Sequence, residues 1–217
     1  MDLKDPYIFF PLLIALNVLA YILNVVISIF WDKALKFKAT ITRKEILASL
    51  ITLLINTAIA IPGYLLWING LIVFSSMPIV GTFILLFVVL DFLMYVLHWA
   101  SHTIGFLKKI HLKHHEHSEE FNSVSLYYMS PWESIFFGLL LTAVAILLPL
   151  NIYGFIAFLV FNWFYGVMTH LNSKSERTHF LIFTTNLFHK NHHQLSYKNY
   201  GFYTFIWDKI FRTEKII

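Results

Sequence analysis

Nine of the eleven histidines in this 217-residue chain fall into a pattern that can hold metal. His98 and His102 form H-x-x-x-H. His111, His114 and His115 form H-x-x-H-H, and His189, His192 and His193 repeat that spacing. His170 stands alone between the two. All of the histidines lie between residues 98 and 193. A neutral imidazole is the commonest protein ligand for metals. On a helix, positions i, i+3 and i+4 share a face, so each box aims two or three nitrogens at one region. A single histidine is more often structural than ligating, but three boxes in one stretch are not explained that way. A purification tag does not fit either, because the histidines are interleaved with other residues inside the chain.

The donor set narrows the chemistry. The chain has no cysteine, which excludes disulfides, thiolate sites, iron–sulfur clusters and a cysteine nucleophile. Nine histidines are too many for one four-coordinate zinc. Two ions, each with four or five nitrogens, fit better. Imidazole suits iron, zinc, copper and nickel alike, so spacing does not choose the metal. The zinc-protease motif H-E-x-x-H is absent, since Glu119 stands where its second histidine would be. Soluble di-iron bundles use paired E-x-x-H; only Glu176–His179 matches here. Asp91, Tyr95, His98 and His102 follow one another at spacings of four, three and four, along one helical stripe. A charge within a membrane span is costly and faces protein. Asp91 is therefore expected to accept a hydrogen bond from a ligand histidine and fix its tautomer, with Tyr95 a weaker candidate for such support. Helix packing is the alternative role for Asp91. His117 is expected to be an exposed or hydrogen-bonding histidine rather than a ligand.

These residues need a scaffold, and composition says what kind. The chain is 58% hydrophobic and only 13% charged, well below the ~25% of soluble domains. It reads as a single all-α membrane domain over residues 1–217. Pro6–Trp31 is an uncharged run long enough to cross a bilayer, and is expected to be retained rather than cleaved. Ile46–Leu107 holds two spans, split near Trp67–Pro78. Ser134–Ser173 is uncharged, with Pro149, Asn151 and Gly154 at its middle, and reads as a helical hairpin of two short arms. The expected fold is thus about three spans plus a hairpin, under a histidine-rich helical cap.

Lys33, Lys36, Lys38, Arg43 and Lys44 sit between the first and second spans, and the next loop has no basic residue. The positive-inside rule then puts the boxes on the cytoplasmic side. Richness in Ile, Lys, Phe and Asn points to a bacterial inner membrane, with the endoplasmic reticulum as the alternative. The boxes can meet only if the Ser134–Ser173 segment crosses an even number of times. The net charge of +4 comes without a basic stripe interleaved with aromatics, so no nucleic-acid partner is expected. Most of the 22 phenylalanines belong to lipid contact; Asn162, Trp163, Tyr165 and Tyr203 are candidates for lining a substrate channel.

The order of the boxes resembles the fatty acid hydroxylase superfamily, also called the sterol desaturase family. DFLMYVLHWASH is similar to its first box with the preceding Asp and Tyr, and HLKHHEHS running into EEFN to the second. HKNHHQLSYKNYGFYTFIWDKIF is similar to its last box and tail. The resemblance covers about residues 88–213. It implies a non-haem di-iron membrane enzyme that hydroxylates or desaturates lipids with O2 and electrons from a separate electron-transfer protein. It implies ligand positions at His98, His102, His111, His114, His115, His170, His189, His192 and His193. The split it leads to gives one iron His98, His102, His111, His114 and His189, and the other His115, His170, His192 and His193. Three departures stand out. Trp99 replaces an arginine, Ser130 precedes Pro131 where many members have histidine, and Lys174 stands where one branch has a ligand. His179 is the candidate substitute for that ligand.

The reading that follows is hydroxylation of a membrane lipid, whether acyl, sphingoid, sterol or isoprenoid. Desaturation by the same centre is the alternative. A metal transporter or store would string ligands along a path through the bilayer, whereas these cluster at one end. A bis-histidine haem carrier needs no boxes.

Overall fold

The computed structural model describes residues 2–117 and 120–215. Ser118 and Glu119, within the stretch that resembles the second box, lie outside them, as do the last two residues of the C-terminus. Helix α1 (Pro6–Leu35) opens with Asp5, whose side chain accepts from the Tyr7 amide, and with Pro6 in the first turn. It ends at Lys36 in the left-handed conformation. It runs past the uncharged stretch to include Asp32 and Lys33. Helix α2 (Arg43–Ala58) starts in a capping box between Thr42 and Glu45, and α3 (Ala60–Ile68) continues it after a break at Ile59. Helix α4 (Ile79–Thr103) carries the first histidine box, and the short α5 (Gly105–His111) turns away from it. One-turn 3-10 helices at His114–Glu116 and Ser125–Tyr127 lead into the hairpin α6 (Pro131–Leu147) and α7 (Ile152–Thr169). After a two-residue antiparallel pair, His179–Phe180 with Phe183–Thr184, come α8 (Asn186–Leu195) and α9 (Ile206–Ile210). That pair, with an isolated bridge from Phe183 to Thr204, is the departure from an all-α fold among the described residues.

Four helices are long and apolar enough to cross a membrane: Pro6–Leu35, the joined Arg43–Ile68, Ile79–Thr103 and Ile152–Thr169. The chain is a multi-pass membrane protein. Leucine, isoleucine and valine cover the outside of α1, and isoleucine and valine that of α4, as a lipid-facing surface requires. The expected hairpin is present, with its shorter arm at Pro131–Leu147. Its tip reaches the loop before α4 and the first turn of α4: the Ser75 amide donates to Leu150 O (2.7 Å) and the Asn151 amide to Thr82 Oγ1 (2.9 Å). The hairpin therefore returns the chain to the end it left, which satisfies the parity that the boxes demand. At Gly154 a Cβ would stand 2.7 Å from Ile79 O, so α7 packs on α4 only because that side chain is missing. The core lies between these helices, around Leu86, Leu90, Met94, Phe158 and Tyr203.

The C-terminal tail is folded back on α4 by two buried aspartates. Asp91 Oδ1 accepts the amides of Tyr203 (3.1 Å) and Thr204 (3.0 Å), and its Oδ2 accepts Thr204 Oγ1 and Trp207 Nε1 (3.0 Å). Asp208 accepts the amides of Tyr200 (2.8 Å) and Gly201 (2.6 Å) and the Thr213 hydroxyl (2.7 Å). A Cβ on Gly201 would come within 2.2 Å of Thr204 O, so the turn admits glycine alone. Tyr95 also belongs to this clamp, with its hydroxyl 3.0 Å from Thr213 Oγ1 and its ring stacked on Phe211.

Candidate metal centre

All nine patterned histidines converge at the cap end of the bundle, in two groups. His98, His102, His111, His115 and His192 form the first; His114, His170, His189 and His193 form the second. Within each group the candidate ligand atoms lie within 4.8 Å of one another. An ion bound at ~2.1 Å sets opposite nitrogens ~4.2 Å apart, so both groups have the dimensions of one coordination sphere. The two adjoin, since the rings of His115 and His193 stack at 4.4 Å.

This grouping corrects the expected split. His114 and His189 sit with His170 and His193, while His115 and His192 join the first box. The cause is helical geometry. Adjacent residues point about 100° apart, so each H-H doublet feeds both groups. The rings of His192 and His193 are at 90°, and those of His114 and His115 at 86°.

The second nitrogen of most rings is held from outside. His98 Nδ1 donates to Tyr200 O (2.9 Å), His192 Nδ1 to Lys198 O (2.7 Å) and His170 Nδ1 to Gly166 O (2.8 Å). His111 Nδ1 donates to the buried Glu133 carboxylate (2.7 Å). His114 and His115 make longer bonds to Tyr128 O (3.4 Å) and His193 O (3.3 Å). A proton fixed on Nδ1 leaves Nε2 with a bare lone pair. These Nε2 atoms nevertheless approach one another: His111 to His115 at 3.0 Å, His115 to His192 at 3.1 Å, His114 to His170 at 3.2 Å. Lone pairs repel at such distances unless a cation lies among them. His102 Nε2 is buried with no hydrogen-bond partner among the described residues. The residues present thus fit two metal ions.

Burial favours the neutral form of an imidazole, the form a ligand must have. It lowers His170 to about 4 and, with the charge of His111, His115 to about 3. His114, His189, His192 and His193 are also pushed well below the ordinary range, by burial first and then by neighbouring histidines: His170 for His114 and His189, His98 for His192, and His189 for His193.

Three sequence expectations are corrected. Asp91 touches no histidine among the described residues. Seven positions along a helix separate it from His98 by ~10.5 Å, and the tail occupies that gap. It acts on the site indirectly, by seating the segment whose Tyr200 carbonyl holds His98. Tyr95 likewise braces the tail rather than a ligand. His179 lies in the short strand pair with its ring on Phe205 (4.4 Å), outside both groups. The channel candidates Tyr165 and Tyr203 are both hydrogen-bonded. The Tyr165 hydroxyl donates to Tyr203 O (2.7 Å) and the Tyr203 hydroxyl to Asn162, tying α7 to the tail. His117 is a hydrogen-bonding residue, set between Ser125 Oγ (2.7 Å) and Glu45. Glu133 was not anticipated. The signal for it is a lone acid in the first turn of a proline-started helix, two residues after Pro131 and just before the uncharged 40-residue stretch Ser134–Ser173.

Asp91→Asn is expected to destabilise the fold by about 1–3 kcal/mol, because an amide NH2 would face the Trp207 and Thr204 donors. The thermal midpoint of the detergent-solubilised protein should fall by several degrees. An unchanged midpoint would remove Asp91 from its clamping role.

Boxes, clamp and membrane helices together define a class: integral-membrane proteins with a histidine-caged centre. A family model described as fatty acid hydroxylase matches residues 83–213, and the chain belongs to that family. No curated protein and no solved structure matches it.

Proposed function

We propose that the protein is an O2-dependent lipid hydroxylase with two irons held by the nine histidines. The observation that carries this reading is the convergence of Nδ1-anchored imidazoles into two adjoining groups at the end of a membrane bundle. Iron bound there supplies the activation of O2 that an unreactive C–H bond demands. The chain's own residues supply the rest. Tyr200, Lys198, Gly166 and Glu133 fix the ring orientations, and Phe121 and Phe188 help exclude water. A narrow groove between α4, α5 and α6, walled by Leu97, Leu107, Ile110, Phe136 and Phe137, leads to His98 and His111. Such walls favour lateral entry of an alkyl chain from the bilayer. These 217 residues carry no haem or flavin motif, so the reading takes its electrons from outside this membrane domain.

Mass spectrometry of lipids from cells with and without the chain tests the reading. One lipid class should gain a single oxygen only when the chain is present. No gene-dependent lipid change would end the proposal, and a product two hydrogens lighter would move it to the desaturase alternative.

We also propose that the centre faces the cytoplasm, on the asymmetry of the basic loop at Lys33–Lys44. The chain lacks cysteine, so single cysteines report cleanly. An impermeant thiol reagent should label Asn69→Cys in intact cells and leave Lys36→Cys untouched. The reverse pattern would invert the orientation.

A further inference from the structure

A second cavity, of about 300 Å3, lies apart from both histidine groups where α1 leaves the bundle. That volume is at the lower end of the range for small-molecule sites, ~300–1,000 Å3. Its walls are Ile29, Phe37, Ala39 and Ile41 on the apolar side, and Asp32, Lys33 and Ser123 on the polar side. Ser123 is only 4% exposed, yet its hydroxyl has no hydrogen-bond partner among the described residues. A buried hydroxyl left unsatisfied calls for an occupant.

The charges sort that occupant. Asn172 Nδ2 donates to Asp32 Oδ1 (3.0 Å), which leaves Asp32 Oδ2 free to take a donor. Glu120 stands close enough for its charge to act on Asp32, so this side of the cavity favours a cation. Lys33 makes no ion pair among the described residues, and Lys174 sits 5.8 Å from the ring of Phe37. That side favours an anion.

The polar wall is built rather than incidental. Asn172 also donates to Phe121 O (2.7 Å) and accepts the Phe121 amide (2.9 Å), and Trp31 Nε1 donates to Asn172 O (2.7 Å). Asn24 Nδ2 holds Ser123 O (2.9 Å). The same short segment that positions Ser123 places the Phe121 ring 5.2 Å from that of His193 and 5.3 Å from that of His170.

We propose that this cavity binds a zwitterionic group, an ammonium joined to a phosphate. The ammonium is held by Asp32, and the phosphate by Lys33 and the Ser123 hydroxyl. Ile29, Phe37, Ala39 and Ile41 take the adjoining methylenes. As the headgroup site of the lipid substrate, which rests on the hydroxylase reading, it selects zwitterionic aminolipids over anionic or uncharged ones.

Binding is measured without turnover, so its outcome is independent of whether the protein oxidises lipid. Full-length protein in detergent is titrated with dihexanoyl phosphatidylethanolamine, dihexanoyl phosphatidylglycerol and free phosphoethanolamine, with calorimetry as the readout. The zwitterionic lipid should bind at least about tenfold more tightly than the anionic one. Asp32→Asn, which keeps the shape and can still meet Asn172, should erase that preference. Lys33→Gln should weaken the zwitterionic lipid by about tenfold, the loss of one charge-assisted contact. Free phosphoethanolamine binding as tightly as the lipid would uphold the zwitterion site and assign it to a soluble ligand. Equal binding of the two lipids, or an Asp32→Asn protein with unaltered preference and melting temperature, would overturn it. If Asp32→Asn melts far lower, Ser123→Ala decides. It removes one unbonded hydroxyl, and unchanged phosphatidylethanolamine affinity there would overturn the site.

Discussion

Alanine at His170 or at His192 is expected to abolish lipid oxidation and to lower the bound metal from two ions per chain to one. The two positions belong to different groups, so each variant should keep the ion of the other group. His170 offers Nε2 to the second group while Gly166 O holds its Nδ1; His192 does the same in the first, held by Lys198 O. Removing either nitrogen leaves its partners' lone pairs converging with one ligand fewer. His117→Ala and His179→Ala are the controls. Both lie outside the groups, and both variants should retain two metals and full turnover. Metal analysis of anaerobically purified proteins, with heterologous zinc counted as occupancy, measures all four. A His170→Ala protein that keeps two metals and normal activity would break the assignment.

Acid should unfold the metal-free cap within a narrow range. His115 and His170 titrate near 3 and 4 in the folded chain because they are buried. In the unfolded chain a histidine titrates near ~6.5. Between those values the unfolded state binds more protons, so stability is complete above about pH 6.5 and declines as the pH falls toward the folded values. These two residues alone withdraw on the order of 3 kcal/mol per pH unit in that window. Since a domain has only ~5–15 kcal/mol to lose, chelator-treated protein should melt at steeply lower temperatures between pH 7 and 5. A flat profile would mean that these histidines are not buried neutral.

Much of this arrangement was legible in the sequence because it follows from periodicity. The uncharged runs gave the spans, and Pro149, Asn151 and Gly154 marked a hairpin whose return brings the boxes together. What the sequence did not give was contact across elements. Asp91 shares a stripe with His98, and a stripe fixes direction but not reach. Its partners come from residues 203–207, more than a hundred positions away, through turn geometry that only Gly201 allows. The regrouping of the doublets has a local cause, and the 100° step between neighbours would have predicted it. Glu133 shows the converse case, since nothing in its neighbourhood names His111 as its partner until α5 and α6 are packed. The backbone carbonyls of Lys198, Tyr200 and Gly166, which orient three ligands, carry no side-chain signal at all.

The origin of the oxygen in the product tests the central claim most directly. Cells carrying the chain are grown under 18O2 in ordinary water, and the gene-dependent lipid is weighed. The account predicts a gain of one 18O atom in that lipid, absent from the His170→Ala strain. A product oxygen drawn from water instead would contradict hydroxylation by this centre.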